Sequence, residues 1–168
     1  MKKNKFELLI KIFSLFIFLP FGLTGQESKW YEFELENVKI DFPTEEVYQL
    51  DTIVKGIRLN QLYATIGNST LILQKLPAVS SSKDMNLSSL PNNYESLLEY
   101  YNGVIDGVKQ SAKAEKVKKE KINLGELIGY ESVIYNNIEK PLIESRIFLA
   151  GNDLVMVSVH NPEIEINN

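Results

Sequence analysis

The feature that most constrains this fold is an alternation with a period of two. In Glu32-Phe33-Glu34-Leu35-Glu36 acidic and apolar side chains alternate strictly, and Val38-Lys39-Ile40-Asp41-Phe42 repeats the pattern until Pro43 stops it. Successive side chains of a strand point to opposite faces, so such a segment buries one face and wets the other. Proline has no N–H for the ladder, which ends the second strand at Pro43.

Strand signals recur along the chain. Residues 47–50 and 52–59 flank Asp51 and are expected to form a short pair about it. Gln61 to Ile66 and Thr70 to Leu76 read as a hairpin closed by Gly67-Asn68-Ser69. Three closing strands are expected over Glu126 to Tyr135, Leu142 to Ala150 and Asp153 to Val159, with Gly125 and Gly151 at turns. Residues 77–93 are rich in Ser, Asn and Pro and read as a long surface loop.

One helix stands out. Tyr94, Leu97, Leu98, Tyr101, Ile105 and Val108 recur at three- and four-residue spacing and form one apolar stripe that would lie across a sheet. Asn92 or Asn93 supplies the N-cap, and Glu95 complements the helix dipole. Gly103 and Gly107, four apart, read as a place where a strand packs closely. The lysine-dense stretch from Lys113 to Lys121 reads as a solvated edge strand, since edge lysines discourage sheet-to-sheet pairing; the rival reading is a basic patch for an anionic surface. The expected fold is α+β: an antiparallel sheet of about six strands with a main amphipathic helix on one face.

The N-terminus is read separately. Lys2, Lys3 and Lys5, an apolar run from Ile12 to Leu19, a break at Pro20-Phe21-Gly22 and small residues at Thr24 and Gly25 have the layout of a secretory signal peptide. A spanning helix needs about 20 apolar residues, and Glu7 and Lys11 interrupt this run while Pro20 ends it. Cleavage after Gly25 is expected, leaving residues 26–168 as one domain with no stable membrane anchor; a retained N-terminal anchor is the alternative. The leader's composition is of a bacterial kind, and the expected location is periplasmic or extracellular.

The leader takes four of the 18 basic and one of the 22 acidic residues, so the remainder holds 14 against 21 and a net charge of −7. Such a field repels phosphate backbones, and nucleic acid is not an expected partner. The absence of cysteine excludes thiol nucleophiles, thiolate metal sites and lipidation at a cysteine, and leaves stability to burial.

Chemistry-bearing residues are sparse. His160 is the single histidine, too few for a Ser–His–Asp triad or a two-His metal site, and is expected as an exposed strand-end residue. Glu32, Glu34 and Glu36 share one strand face and Glu163 and Glu165 another; a hard-cation site could be built from such groups, but they are expected as the solvated outer faces of half-buried strands. Gly125 and Gly129 lack the Lys-Ser/Thr of a phosphate loop and read as turn and bulge. No catalytic, cofactor or metal residue is assigned. Trp30 and Tyr31, just past the cut, and Ser88 and Asn92, in the loop, form a tentative binding surface.

Three segments together resemble the Mog1/PsbP-like fold group, which includes small exported bacterial proteins. They are Val38-Lys39-Ile40-Asp41-Phe42-Pro43, Gly125-Glu126-Leu127-Ile128-Gly129-Tyr130-Glu131, and Arg146-Ile147-Phe148-Leu149-Ala150-Gly151-Asn152 leading into Leu154-Val155-Met156-Val157. The resemblance covers about residues 30 to 160 and implies an antiparallel sheet flanked by helices in a binding or accessory module. Similar proteins close with an aromatic helix, which the ending Glu163-Ile164-Glu165-Ile166-Asn167-Asn168 lacks. The functional expectation is an exported non-enzymatic binding or accessory domain for an envelope protein or small ligand. The alternative is a carboxylate-based hydrolase or metal-dependent enzyme of the cell envelope.

Overall fold

A computed structural model describes residues 29–54, 57–78, 93–136 and 140–161. Residues 1–28, most of the loop 77–93 and the segment 162–168 lie outside these residues, and so do the expectations placed on them, the signal peptide included. The elements are β1 (Tyr31–Leu35), β2 (Val38–Phe42), β3 (Tyr48–Val54), β4 (Ile57–Ile66), β5 (Ser69–Pro77), α1 (Tyr94–Ser111), β6 (Lys116–Leu124), β7 (Leu127–Tyr135), β8 (Pro141–Ala150) and β9 (Asp153–His160).

The architecture is α+β and antiparallel. The main sheet has seven strands in the order β3-β4-β5-β9-β8-β7-β6, and β1 and β2 form a separate two-stranded sheet. Two meanders, β3-β4-β5 and β6-β7-β8-β9, therefore meet at the β5–β9 pair, and α1 lies in the connection between them. The lysine-rich strand is one edge, and β3 is the other.

The pair expected about Asp51 does not form. Asp51 sits in mid-strand opposite Asn60, and β3 turns into β4 beyond Val54. The carboxylate stays in the strand because Arg58 of β4 grips both of its oxygens, at 2.9 and 2.6 Å. The β4–β5 hairpin closes more tightly than expected: Ile66 pairs with Ser69 across Gly67-Asn68, and Gly67 takes a left-handed φ of 58°.

Both sheet faces are covered, over different strands. On β9, Leu154 and Met156 point one way, where they pack with Tyr100, Tyr101 and Ile105 of α1 and with Ile147 of β8. Val155, Val157 and Val159 point the other way, into a core with Leu35, Val38, Ile40 and Phe42 of the β1–β2 hairpin and Leu62, Ala64, Leu71 and Leu73 of β4 and β5. The helix-side core includes no residue of β3 or β4, and the hairpin-side core none of β6 or β7.

The helix begins at Asn93, whose side chain accepts from the Ser96 N–H at 2.9 Å while the Ser96 hydroxyl accepts from the Asn93 N–H, a reciprocal capping box. Its end is a Schellman turn: Lys113 takes φ 50°, Ala114 N–H reaches Lys109 O and Lys113 N–H reaches Gln110 O. Two readings need correction. The buried stripe includes Tyr100, whose hydroxyl donates to Ala78 O at 3.1 Å, while Tyr94 stays exposed. Gly103 and Gly107 have nothing within 4 Å of a would-be Cβ and allow no close strand approach.

Tyr101 pins the helix to the sheet. Its hydroxyl donates to Ile128 O at 2.8 Å and accepts from Leu149 N–H at 2.7 Å. These are the next cross-strand partners after the last ladder pair, Gly129 with Phe148, so the hydroxyl is inserted where the β7–β8 ladder stops. Burial raises its pKa to about 12, against the lowering effect of the Leu149 N–H, so it stays a neutral donor. Gly129 is neither turn nor bulge: a Cβ there would lie 2.3 Å from Ile147 O and 2.6 Å from the Phe148 ring. Phe148 lies against the space where a side chain would be.

A polar knot fastens the hairpin. Glu36, in the β1–β2 turn with φ 55°, accepts from the Lys75 ammonium and from Asn60 Nδ2 at 3.2 Å. Lys75 also reaches Asn37 Oδ1 at 3.2 Å and Asp153 at 3.1 Å. The bond from Lys75 holds Glu36 below its usual pKa, against the opposing effect of burial. Burial lowers Lys75, and its bonds to Glu36 and Asp153 more than offset this, leaving it raised.

Two predictions follow from these contacts. Tyr101→Phe leaves the Leu149 N–H and Ile128 C=O unpaired and is expected to cost about 1–3 kcal/mol in urea unfolding; an unchanged midpoint would refute the pinning role. Because Glu36 is lowered on folding, its contribution is complete above the carboxylate value of 4.5 and fades as pH falls through that value; that of Lys75 fades above 10.5. Lys75→Met should therefore flatten the acid limb of a stability–pH profile, and an acid limb identical to wild type would show the knot to be energetically idle.

Candidate functional site

The four residues proposed from sequence do not form a site among the described residues. Trp30 is 52% exposed just before β1. Tyr31 is half-buried in β1, opposite Phe42, with the Lys29 ammonium 4.8 Å from its ring centroid. Both stand at the open end of the hairpin. Ser88 and Asn92 lie outside the described residues.

The polar clusters have structural partners. Three serines, Ser132, Ser145 and Ser158, stand in register across β7, β8 and β9, and all are buried. The Ser132 and Ser145 hydroxyls bond each other at 2.8 Å, while Ser158 lies 3.1 Å from His160 Nε2. His160 is thus half-buried, not exposed as expected, and burial lowers its pKa. A Ser–His contact is one element of a hydrolytic dyad, but Ser158 is 1% exposed and no described carboxylate orients the ring.

The carboxylates divide similarly. Glu32 and Glu34 face solvent on β1, Glu36 is tied to Lys75, and Glu163 and Glu165 lie outside the described residues. On the hairpin side of β7 and β8, Glu131 is bonded by Arg146 Nε at 2.7 Å. Glu144 is held above its usual range by burial and then by the Glu131 charge. Among the described residues no three of His, Cys, Asp and Glu come together to hold a metal ion, and no helix is long and apolar enough to cross a membrane.

The lysine-rich strand stays within its own fold. On the helix side, Lys119 reaches Asn102 Oδ1 at 3.1 Å and Asp106 at 2.8 Å, and Lys121 reaches the Tyr94 hydroxyl at 2.8 Å. These bonds lash β6 to α1. Lys118, turned to the other face, keeps the edge charged.

The opposite edge is built differently. Of the five large hydrophobic side chains exposed among the described residues, three lie on β3: Tyr48 at 56%, Leu50 at 40% and Ile53 at 71%. The strand has no lysine, and its one charge, Asp51, is bonded to Arg58. Tyr48 and Leu50 share the helix-side face with Gln61 and Tyr63 of β4, and the Tyr48 and Tyr63 rings stack at 5.6 Å. This quarter of the sheet, Tyr48, Leu50 and Thr52 on β3 with Leu59, Gln61, Tyr63 and Thr65 on β4, carries no charged side chain. The opposite uncovered quarter, the hairpin side of β6 and β7, presents Lys118, Glu120 and Glu131. Among the described residues this uncharged, aromatic sheet face runs out to an edge with no further strand on it, the geometry that strand addition uses.

The sequence conceals this surface because Asp51 reads as a turn, which splits Tyr48, Leu50 and Thr52 into two pieces. The usable signal was the contrast between a seven-residue strand without lysine and a nine-residue strand, β6, with four.

Glu144 supplies a sign-specific prediction. A carboxyl raised on folding weakens the fold as pH climbs above 4.5, since the folded state must then hold a disfavoured charge. Glu144→Gln is expected to raise the denaturation midpoint at neutral pH, with the gain vanishing toward acid pH. A loss of stability at neutral pH would instead make the carboxylate a net stabiliser.

In comparisons with known proteins, no family model, no curated protein and no solved structure matches this chain.

Proposed function

We propose that this chain is an exported, non-enzymatic binding or accessory domain whose recognition surface is β3 with the adjoining helix-side quarter of the sheet. The observation that carries the reading is the contrast between the two sheet edges. β6 is charged and lashed to the helix, while β3 offers Tyr48, Leu50 and Ile53 to solvent. Exposed apolar groups on an unpaired edge are an aggregation hazard that folded proteins ordinarily suppress with charge. Leaving one edge of two unprotected is consistent with that edge having a partner.

The reading also draws on the resemblance of residues 30 to 160 to the Mog1/PsbP-like group, whose members act as binding or accessory modules. An antiparallel sheet crossed by one helix suits that assignment. The signal-like residues 1–25 place the partner in the periplasm or outside the cell. The net charge of −7 beyond them favours a polypeptide or small ligand over nucleic acid.

The test is a photo-crosslinking amino acid at Ile53 in the exported protein, compared with one at Glu120 on the opposite edge. Specific adducts are expected from Ile53 and not from Glu120. Leu50→Lys should abolish them while changing stability by less than about 0.5 kcal/mol, as exposed substitutions do. Adducts that survive Leu50→Lys, or that form equally from Glu120, would sink the assignment.

A further inference from the structure

We infer that the partner of β3 is a second copy of this chain, its β3 paired antiparallel across a two-fold axis at Leu50 so that the two main sheets join edge to edge. The inference rests on β3 being the recognition edge, and adds the occupant and the register.

The pairing follows from which residues a two-fold axis sets opposite one another. In an antiparallel pair about such an axis, the sequence numbers of facing residues have a constant sum. Facing residues also share a sheet face, and their Cβ atoms lie about 4.5–5.5 Å apart. Centring on Asp51, the midpoint of β3, would oppose the two Asp51 carboxylates, a like-charge contact that destabilises a sheet. Centring on Leu50 removes that conflict.

In the Leu50 register, Leu50 meets its own copy. Gln49 faces Asp51, and Tyr48 faces Thr52, each twice by symmetry. Leucine against leucine buries apolar surface. The Gln49 amide, which spends one N–H on Asn60 Oδ1 at 3.3 Å, has a second N–H for the Asp51 carboxylate. Aromatic against β-branched is a favourable cross-strand pair. One step beyond, Ile53 meets Val47 just ahead of the facing strand. No charge opposes a like charge anywhere in this register.

The other edge fares worse at full overlap: self-pairing of β6 over its full length centres on Glu120, which sets Glu120 against Glu120 and Lys119 against Lys121. On β3 charge rules out the Asp51 register, and the Gln49–Asp51 contact, made twice, favours the Leu50 one. With β3 paired, the Tyr48 and Leu50 side chains of both copies lie side by side next to the stacked Tyr63 rings, and the two uncharged quarters become one strip.

The experiment uses the protein as its own cells process it, in sedimentation velocity across the micromolar range. A reversible dimer is expected. Gln49→Lys places an ammonium opposite each Asp51 and should tighten the dimer Kd roughly two- to thirty-fold, while Gln49→Glu should loosen it by a similar factor. Leu50→Lys should give a monomer. Because the chain has no cysteine, single-cysteine variants report the register directly. Leu50→Cys should form a disulfide-linked dimer under mild oxidation, and Ile53→Cys should not, although Ile53 is the more exposed of the two.

Three results would overturn the inference: a monomer throughout, a dimer indifferent to both Gln49 variants, or equal cross-linking at Leu50 and Ile53. The reading of β3 as a recognition edge fails separately. It survives a wild-type monomer if photo-crosslinking at Ile53 still captures another polypeptide, and falls if Leu50→Lys leaves that capture intact.

Discussion

The molecule is organised around β9, the strand buried on both faces. Leu154 supplies the helix-side core, Val155, Val157 and Val159 the hairpin-side core, and all are under 7% exposed. It is the inner strand of one meander and pairs with β5, the inner strand of the other, so β9 also holds the sheet together. Neither covering layer suffices by itself. Without α1 or without the β1–β2 hairpin, one row of these side chains would face water, at about 1.5–3 kcal/mol for each large apolar residue. The polar groups that such burial traps are satisfied locally: Tyr101 closes the end of the β7–β8 ladder, and Lys75 gathers the hairpin turn.

The two covers are staggered, and that stagger gives the surface its character. The helix serves β6 through β9 and the hairpin serves β4, β5 and β9. Among the described residues each leaves one quarter of the sheet bare, on opposite faces and at opposite edges. The bare quarter beside β6 carries Lys118, Glu120 and Glu131, the last bonded by Arg146. The bare quarter beside β3 has none. Had both been charged, the protein would present a uniformly solvated surface. The two edges therefore differ in charge because the two covers are staggered.

Much of this was legible in the sequence where one face of an element is wet. The alternation in residues 31–42 led directly to β1 and β2, and Gly67, Gly125 and Gly151 marked turns that need a left-handed φ. The lysine run was correctly an edge, and the N-cap was one of the two asparagines foreseen. What failed depended on partners distant in sequence. Asp51 breaks a strand unless an Arg58 stands across from it, and no local pattern announces that pairing. Tyr100, not Tyr94, enters the core, where its hydroxyl finds Ala78 O, a partner distant in sequence. Gly129 could not be told from a turn glycine without the Phe148 ring that occupies its missing side chain. The uncharged face of β3 and β4 is hidden for the same reason, since it exists only once β3 is whole.

A net charge of −7 beyond residue 25 ought to keep two copies of this chain apart. Over distances longer than about 8 Å, however, physiological salt screens that repulsion, and what remains is the chemistry at the point of contact. There the two edges differ completely. An approach at β6 meets four lysines and a glutamate along one strand, whereas an approach at β3 meets an Asp51 already held by Arg58 and otherwise uncharged side chains. Overall acidity and a neutral edge are therefore compatible. The first keeps the folded chain soluble and discourages indiscriminate contact, and the second leaves one strand where close backbone approach costs little.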